Sequence, residues 1–151
     1  MKIKELVGSG DKIALLTLPF LATGLLLNIL FPAFFSVGGP SPALGVIALI
    51  MMALGVTIWA WSVVLILTKV PRQELITTGP YSLVKHPLYT GVALLVVPSA
   101  GFLLNSWLGV LVGTVMYIGS RKYSPLEEEA LARTFGASWD EYRRRVKIPW
   151  L

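Results

Sequence analysis

The stretch ALGVIALIMMALGVTIWAWSVVLILT, residues Ala43–Thr68, carries no charged side chain over 26 positions. An α-helix needs about 20 consecutive apolar residues to cross a hydrocarbon core, so this stretch is long enough to span a bilayer. Upstream, Ile13 to Val37 is equally free of charge. It contains Pro19 and Pro32, which lipid-embedded helices tolerate where neighbouring groups satisfy the freed carbonyls. It is longer than the roughly 7–15 apolar residues of a signal core, and no small-x-small cleavage pattern follows, so it reads as a first span rather than a leader. Between the two spans, Gly38-Gly39-Pro40-Ser41-Pro42 supplies turn chemistry.

The composition of the whole chain agrees. It is 55% hydrophobic and only 14% charged, with a mean hydropathy of +0.73, whereas soluble domains carry roughly a quarter charged residues. The net charge of +5 sits beside the apolar segments, where basic flanks anchor to anionic headgroups, so nucleic acid is not an expected partner. With no cysteine and one histidine, disulfides, thiolate chemistry and a recognisable metal site are all absent from the sequence. No glycine-rich phosphate loop, dinucleotide fingerprint or nucleophile elbow is present either.

Beyond Thr68, Lys69 to Lys85 is polar and turn-rich and reads as a loop outside the hydrocarbon. Two shorter apolar stretches follow, about Leu88 to Leu104 and Trp107 to Ser120, separated by Asn105-Ser106. They read as a tight helical hairpin, with Pro98 kinking its first arm. The fold class is therefore all-α: a polytopic membrane protein of about four spans in a single domain, residues 1–151. Lys2, Lys4 and Lys12, then Lys69, Arg72 and Lys85, then Arg121 and Lys122 cluster around three connections, while the other two carry no charge. The positive-inside rule places both termini and the central loop in the cytoplasm.

The tail is a different material. Ser124-Pro125-Leu126-Glu127 predicts a helix start, with serine as N-cap, proline at N1 and glutamate at N3. Leu126, Ala130, Leu131 and Phe135 form an apolar stripe and Gly136 a stop. Ser138-Trp139-Asp140-Glu141 repeats the start signal for a second short helix through Arg145. Trp107, Trp139 and Trp150 read as interface anchors, and Arg143-Arg144-Arg145 as headgroup contacts.

Two constellations carry chemistry. Pro87 disfavours helical angles at His86 and favours a helix beginning at its own position. The imidazole then sits in the loop before a membrane helix, beside unpaired N–H groups, a berth for an anionic ligand group. Tyr81 and Tyr89 add hydroxyls, and Gly79 and Gly91 allow close backbone approach. An interfacial belt of tyrosine, histidine and lysine is the alternative reading. Glu127, Glu128 and Glu129 are explained structurally by the macrodipole of a helix start, and functionally by a carboxylate turned toward a cation or a sugar hydroxyl.

These residues also form a larger pattern. Gly79-Pro80-Tyr81, then Lys85-His86-Pro87-x-Tyr89-x-Gly91, then Glu127-Glu128-x-x-Leu131-x-x-x-Phe135-Gly136-x-x-Trp139-x-x-Tyr142 and a basic run before a proline resemble the isoprenylcysteine carboxyl methyltransferase family. Phospholipid N-methyltransferases share much of this pattern. The resemblance covers roughly Gln73 to Leu151. It implies an integral membrane methyltransferase using S-adenosylmethionine, with a lipophilic or lipidated acceptor reached from the bilayer. Carried over by position, the implied cofactor-binding residues are Gln73, Leu75, Ile76, Tyr81, His86, Pro87, Leu88, Tyr89 and Glu127. Glu128 is the expected base for an amine acceptor, alongside His86, and Arg121 the expected orienting group for an anionic one.

Two departures stand out. Lys85 replaces an arginine before the His-Pro pair, keeping charge but losing the planar fork. Tyr123 stands where the prenylcysteine enzymes carry an arginine taken to hold the substrate. Two other functions compete, and a non-catalytic relative that keeps the fold and serves as an interaction protein is a third reading. Membrane sterol and steroid reductases share a His-Pro motif and use NADPH, but continue with asparagine where this chain has Leu88. A small transporter needs a charge within a span to couple ions, and the four expected spans carry none.

Overall fold

The structure is a computed structural model and describes residues 9–39, 41–149 and 151. The expectations placed on Lys2, Lys4, Pro40 and Trp150 lie outside the described residues. Among the described residues six helices follow in order: α1 (Ser9–Leu30), the single turn α2 (Pro32–Phe35), α3 (Pro42–Lys69), α4 (Pro87–Leu103), α5 (Leu108–Phe135) and α6 (Ala137–Arg145). Short 3₁₀ turns at Val70–Arg72 and Gly79–Ser82 punctuate the central loop. Among the described residues there is no strand, as the all-α reading expects.

Two helices, α1 and α3, are long and apolar enough to cross a membrane. At 1.5 Å per residue, the 22 and 28 residues of these helices extend roughly 33 and 42 Å. Their large side chains point outward: Leu15 is 77% and Ile29 75% exposed. Contiguous apolar surface on that scale is what lipid, not water, would cover. The hairpin arms are shorter, since α4 runs only from Pro87 to Leu103 and α5 is apolar only in its first half. Of the four spans expected, two therefore meet the length and hydropathy of a crossing helix.

The interior is built from small residues, which let backbones approach where no hydrophobic drive acts between helices. Ala48, Ser62 and Ser99 are fully buried. At the α4–α5 crossing Gly101 lies on Gly109, and a Cβ on Gly101 would meet the Gly109 Cα at 2.7 Å. Ser106 N–H donates to the Gly101 carbonyl (2.8 Å), which closes the turn between the arms.

Several boundaries differ from expectation. The first span ends at Leu30, not Val37, because Pro32 restricts Phe31 to φ −131° and ψ 53°; the chain resumes as α2. No helix begins at Ser124. Instead α5 continues unbroken through Pro125 for 28 residues. The reason is tertiary: α1 packs along α5, with Leu16 and Ile13 against Gly119. The Ser9 hydroxyl also donates to the Tyr123 carbonyl (2.9 Å). Packing along this length overrides the local start signal. Leu126 is accordingly exposed, and the inward-packed stripe is the half-buried Leu131, Ala132 and Phe135.

Gly136, at φ 50°, both ends α5 and starts α6, so Ser138 is not a cap. The expected end at Arg145 is where α6 stops. In α4 the departure from α-helical bonding is a π turn at Val92–Val96. It includes Leu94, the carbonyl that Pro98 cannot serve with an N–H.

Candidate functional site

One end of the bundle gathers the start of α1, the end of α3, the start of α4, the second half of α5, and α6. His86 takes the N-cap position of α4, and its carbonyl accepts from the Thr90 N–H (3.1 Å). Its side chain does not wait at the helix start for an anion. It lies between two carboxylates, with Nε2 3.2 Å from Glu128 Oε1 and Nδ1 3.5 Å from Glu127 Oε2. The anion-berth expectation is thereby corrected: both ring nitrogens face acids of the chain itself. The His86 ring also stacks on Tyr89, centroids 6.3 Å apart.

The three consecutive glutamates go three ways. Glu127 is buried, and its Oε1 accepts from the Ser9 N–H (3.0 Å) and the Tyr89 hydroxyl (2.9 Å). Glu128 receives Lys85 Nζ (2.5 Å) as well as His86. Glu129 turns outward to Arg133 (3.0 Å), an exposed pair of little energetic weight. Because these acids lie deep inside α5 rather than in its first turn, the macrodipole does not account for them. The burial of Glu127 and the partial burial of Glu128 are the opposite of what a solvated helix start would show.

Charge in this cluster is mutually compensated. Burial alone would raise the Glu128 carboxyl, but hydrogen bonds and charge from His86 and Lys85 overcome it and hold it at about 2. For His86, burial opposes the cation, yet contact with Glu127 and Glu128 outweighs it and raises the imidazole above its usual value. Burial likewise pushes the Tyr81 and Tyr142 phenols upward, so both remain neutral donors.

A cavity opens beside this cluster. Leu75, Ile76, Tyr81, His86, Leu88, Tyr89 and Glu127 all line it, seven of the nine positions expected to hold a cofactor. The other two do not. Gln73 is exposed on the left-handed turn after Val70–Arg72 (φ 56°). Pro87 is fully buried and lines a different, apolar groove between α3 and α4. Glu128 touches the cluster through Lys85 and His86 without lining the cavity, and the exposed Arg121 lies away from its wall.

The loop between α3 and α4 is fixed from both sides. Gly79, at φ 62°, lies against the Trp61 ring, where a Cβ would come within 2.9 Å. The tail returns to bind the same loop: Ile148 N–H donates to the Leu83 carbonyl (2.9 Å) and the Tyr142 hydroxyl to the Tyr81 carbonyl (2.9 Å). Trp139 and Tyr142 of α6, with Leu131 and Phe135 of α5, close the far wall. Trp139, expected at the interface, is only 2% exposed. Its spacing from Leu131 and Phe135 carries the signal for this: all three fall on one helical face, interrupted only by the Gly136 turn.

With this geometry in place, comparison with known proteins becomes decisive. The family model for phospholipid methyltransferases matches residues 43–138. The chain belongs to the phospholipid methyltransferase family. A protein-S-isoprenylcysteine O-methyltransferase B of Arabidopsis thaliana is 31% identical over 83 residues, covering 53% of this chain and 42% of that protein. A probable protein-S-isoprenylcysteine O-methyltransferase of Oryza sativa subsp. indica is 33% identical over 75 residues, 50% of this chain and 39% of the relative. The chain thus spans about two-fifths of the length of these curated relatives. No solved structure gives a significant match.

Family membership makes S-adenosylmethionine the group to test against the cavity. Its donor set suits a molecule with a charged end and a flat apolar end. Lys85, His86 and Glu127 provide ionic partners, and Leu75, Ile76, Leu131 and Phe135 an apolar wall. Carboxylates beside the cavity suit ammonium, sulfonium or ribose hydroxyls, and the wall suits a heteroaromatic ring. The residues present fit.

Proposed function

We infer that the protein transfers a methyl group from S-adenosylmethionine to a lipophilic acceptor embedded in or anchored to the membrane, with the cofactor pocket at the charged end of the bundle. The observation that carries this reading is the convergence of His86, Tyr89 and Glu127 with the apolar wall of Leu131 and Phe135 around one cavity. The cofactor supplies an electrophilic methyl on a sulfonium. The chain's own contribution is to align donor and acceptor and exclude water. Glu127, whose Oε1 is fixed by Ser9 and Tyr89, orients His86 through its second oxygen and lines the pocket. Tyr81 supplies a neutral hydroxyl donor, and Leu75, Ile76 and Leu88 shape the apolar part.

The state of the ionisable groups favours a carboxylate acceptor over an amine. An amine must lose a proton before attack, whereas a carboxylate attacks directly. Glu128, held near 2 by Lys85 and His86, is a poor proton acceptor, and His86 is engaged at both ring nitrogens by Glu127 and Glu128. Glu128 is therefore read as a positioning residue. The relatives named for isoprenylcysteine O-methylation support the same acceptor class. Tyr123 stands where the resemblance to isoprenylcysteine carboxyl methyltransferases implies a substrate-holding arginine. Here Lys12 and Lys122 flank its ring at 6.0 and 5.5 Å and bring positive charge to that place. The apolar groove lined by Leu54, Ile58, Pro87, Gly91 and Leu94 is a lipid-side path for the acceptor's chain. Orientation follows the basic flanks, with both ends of the chain and the central loop on the cytoplasmic face.

The test is to incubate detergent-purified protein with methyl-labelled S-adenosylmethionine and, separately, a farnesylcysteine analogue or phosphatidylethanolamine vesicles. Label should appear as a base-labile ester on the farnesylcysteine analogue with wild type and vanish with His86→Ala. Stable N-methyl label on the phospholipid instead would replace the carboxylate reading, and label on neither would count against this acceptor class.

A further inference from the structure

Trp139 lies in α6, 2% exposed, packed on Tyr142 with ring centroids 5.4 Å apart. Leu75, Leu131 and Phe135 complete the surrounding wall. Among the described residues, its Nε1 is the buried side-chain polar atom with no hydrogen-bond partner. An indole N–H can only donate, so only an acceptor satisfies it. Apolar packing alone does not require that N–H, because phenylalanine would fill the same wall without a buried donor to desolvate. The same residue lines the cavity that holds Lys85, His86 and Glu127. The residue that carries this covered, unmet donor thus forms part of the apolar wall of a pocket whose remaining polar groups are ionic or phenolic.

A ligand that satisfies both parts must carry charge on one portion and, on the other, a flat apolar ring bearing a hydrogen-bond acceptor. A purine is such a ring: its unsubstituted ring nitrogens are acceptors held in the plane of an aromatic system. We propose that the Trp139 Nε1–H donates to a ring nitrogen of the cofactor's purine, making Trp139 the residue that distinguishes purine from other flat apolar groups. This rests on the methyltransferase reading, and adds to it a residue that acts on a defined atom class of the ligand.

The test is calorimetric titration of detergent-purified full-length protein with S-adenosylhomocysteine and with its 1-deaza, 3-deaza and 7-deaza analogues, each lacking one ring nitrogen. Wild type should bind one of the three analogues about tenfold more weakly than the parent, the effect of one lost hydrogen bond. Trp139→Phe should bind the parent about tenfold more weakly and no longer distinguish that analogue, with an unchanged thermal midpoint. Equal binding of the parent and all three analogues by wild type would overturn the proposal, whether or not the variant folds. So would undiminished binding of the parent by a folded Trp139→Phe. A wild type that binds no S-adenosylhomocysteine brings down the underlying reading, and the proposal with it.

Discussion

The two halves of α5 form one unbroken helix but solve opposite problems. From Leu108 to Ser120 Val110, Leu111 and Ile118 face outward, with Leu111 49% exposed, Leu108 and Val112 pack inward, and Gly109 and Gly113 bring neighbouring backbones close. From Arg121 to Phe135 the helix buries charge: Glu127 is held by Ser9 and Tyr89, and Glu128 by Lys85 and His86. In the first half backbone proximity creates contact and side-chain identity is nearly free. In the second half side-chain identity decides everything, because each buried polar group depends on a named partner. The candidate site lies at the end where removing one group leaves several others unsatisfied.

Breaking the second half should therefore have the largest effect. Glu127→Ala strips the acceptor from the Ser9 N–H and the Tyr89 hydroxyl and leaves His86 with one acid. It should lower stability by about 3–5 kcal/mol, as loss of one partner of a buried ionic network does, read from thermal or urea denaturation in detergent. In the first half the equivalent is an added side chain rather than a lost one. Gly109→Leu would drive a Cβ into the Gly101 backbone, 2.7 Å away, and should cost about 1–3 kcal/mol by overpacking. Its effect on ligand affinity should be smaller than its effect on stability. A Gly109→Leu protein that melts like wild type would erase the contrast.

A pH series sharpens the comparison. His86 is raised above 6.5, so its contribution is complete below 6.5 and is lost as pH climbs through the raised value. Glu128 is lowered from 4.5 to about 2, so its contribution is complete above 4.5 and is lost as pH falls toward 2. The cluster thus stabilises the fold most between pH 4.5 and 6.5, and Glu128→Gln should remove the acid-side fall and weaken the alkaline one. A Glu128→Gln protein whose pH profile matches wild type would show that the pair does not carry this linkage. The smallest effect belongs to the lipid-facing surface: Leu111→Ala should change stability by less than about 0.5 kcal/mol and leave binding untouched.

The same division explains what the sequence made legible. The apolar run from Ala43 to Thr68 announced α3 almost to the residue, because a helix in lipid is specified by composition alone. His86, Tyr89 and Glu127 stood out in the sequence as a candidate site through the motifs that carry the family resemblance, and one cavity is lined by all three. Pro32 and Ser124-Pro125 carry similar local signals with different outcomes. At Pro32 nothing packs the chain into continuity and the helix breaks. At Pro125 the docking of α1 holds α5 together. That outcome depends on contacts between residues more than 100 positions apart, which no local pattern contains. Trp139 was misread for a related reason, since an amphipathic tryptophan suits an interface equally well until its neighbours Leu75 and Phe135 are known.

The central claim, that the charged end of the bundle holds S-adenosylmethionine through His86, is tested most directly by titrating that cofactor, and separately NADPH, into wild type and His86→Ala. Saturable binding of S-adenosylmethionine by wild type, reduced at least about 100-fold in a folded His86→Ala protein, is the predicted result. Equal affinity in the two proteins, or binding of NADPH alone, would contradict it.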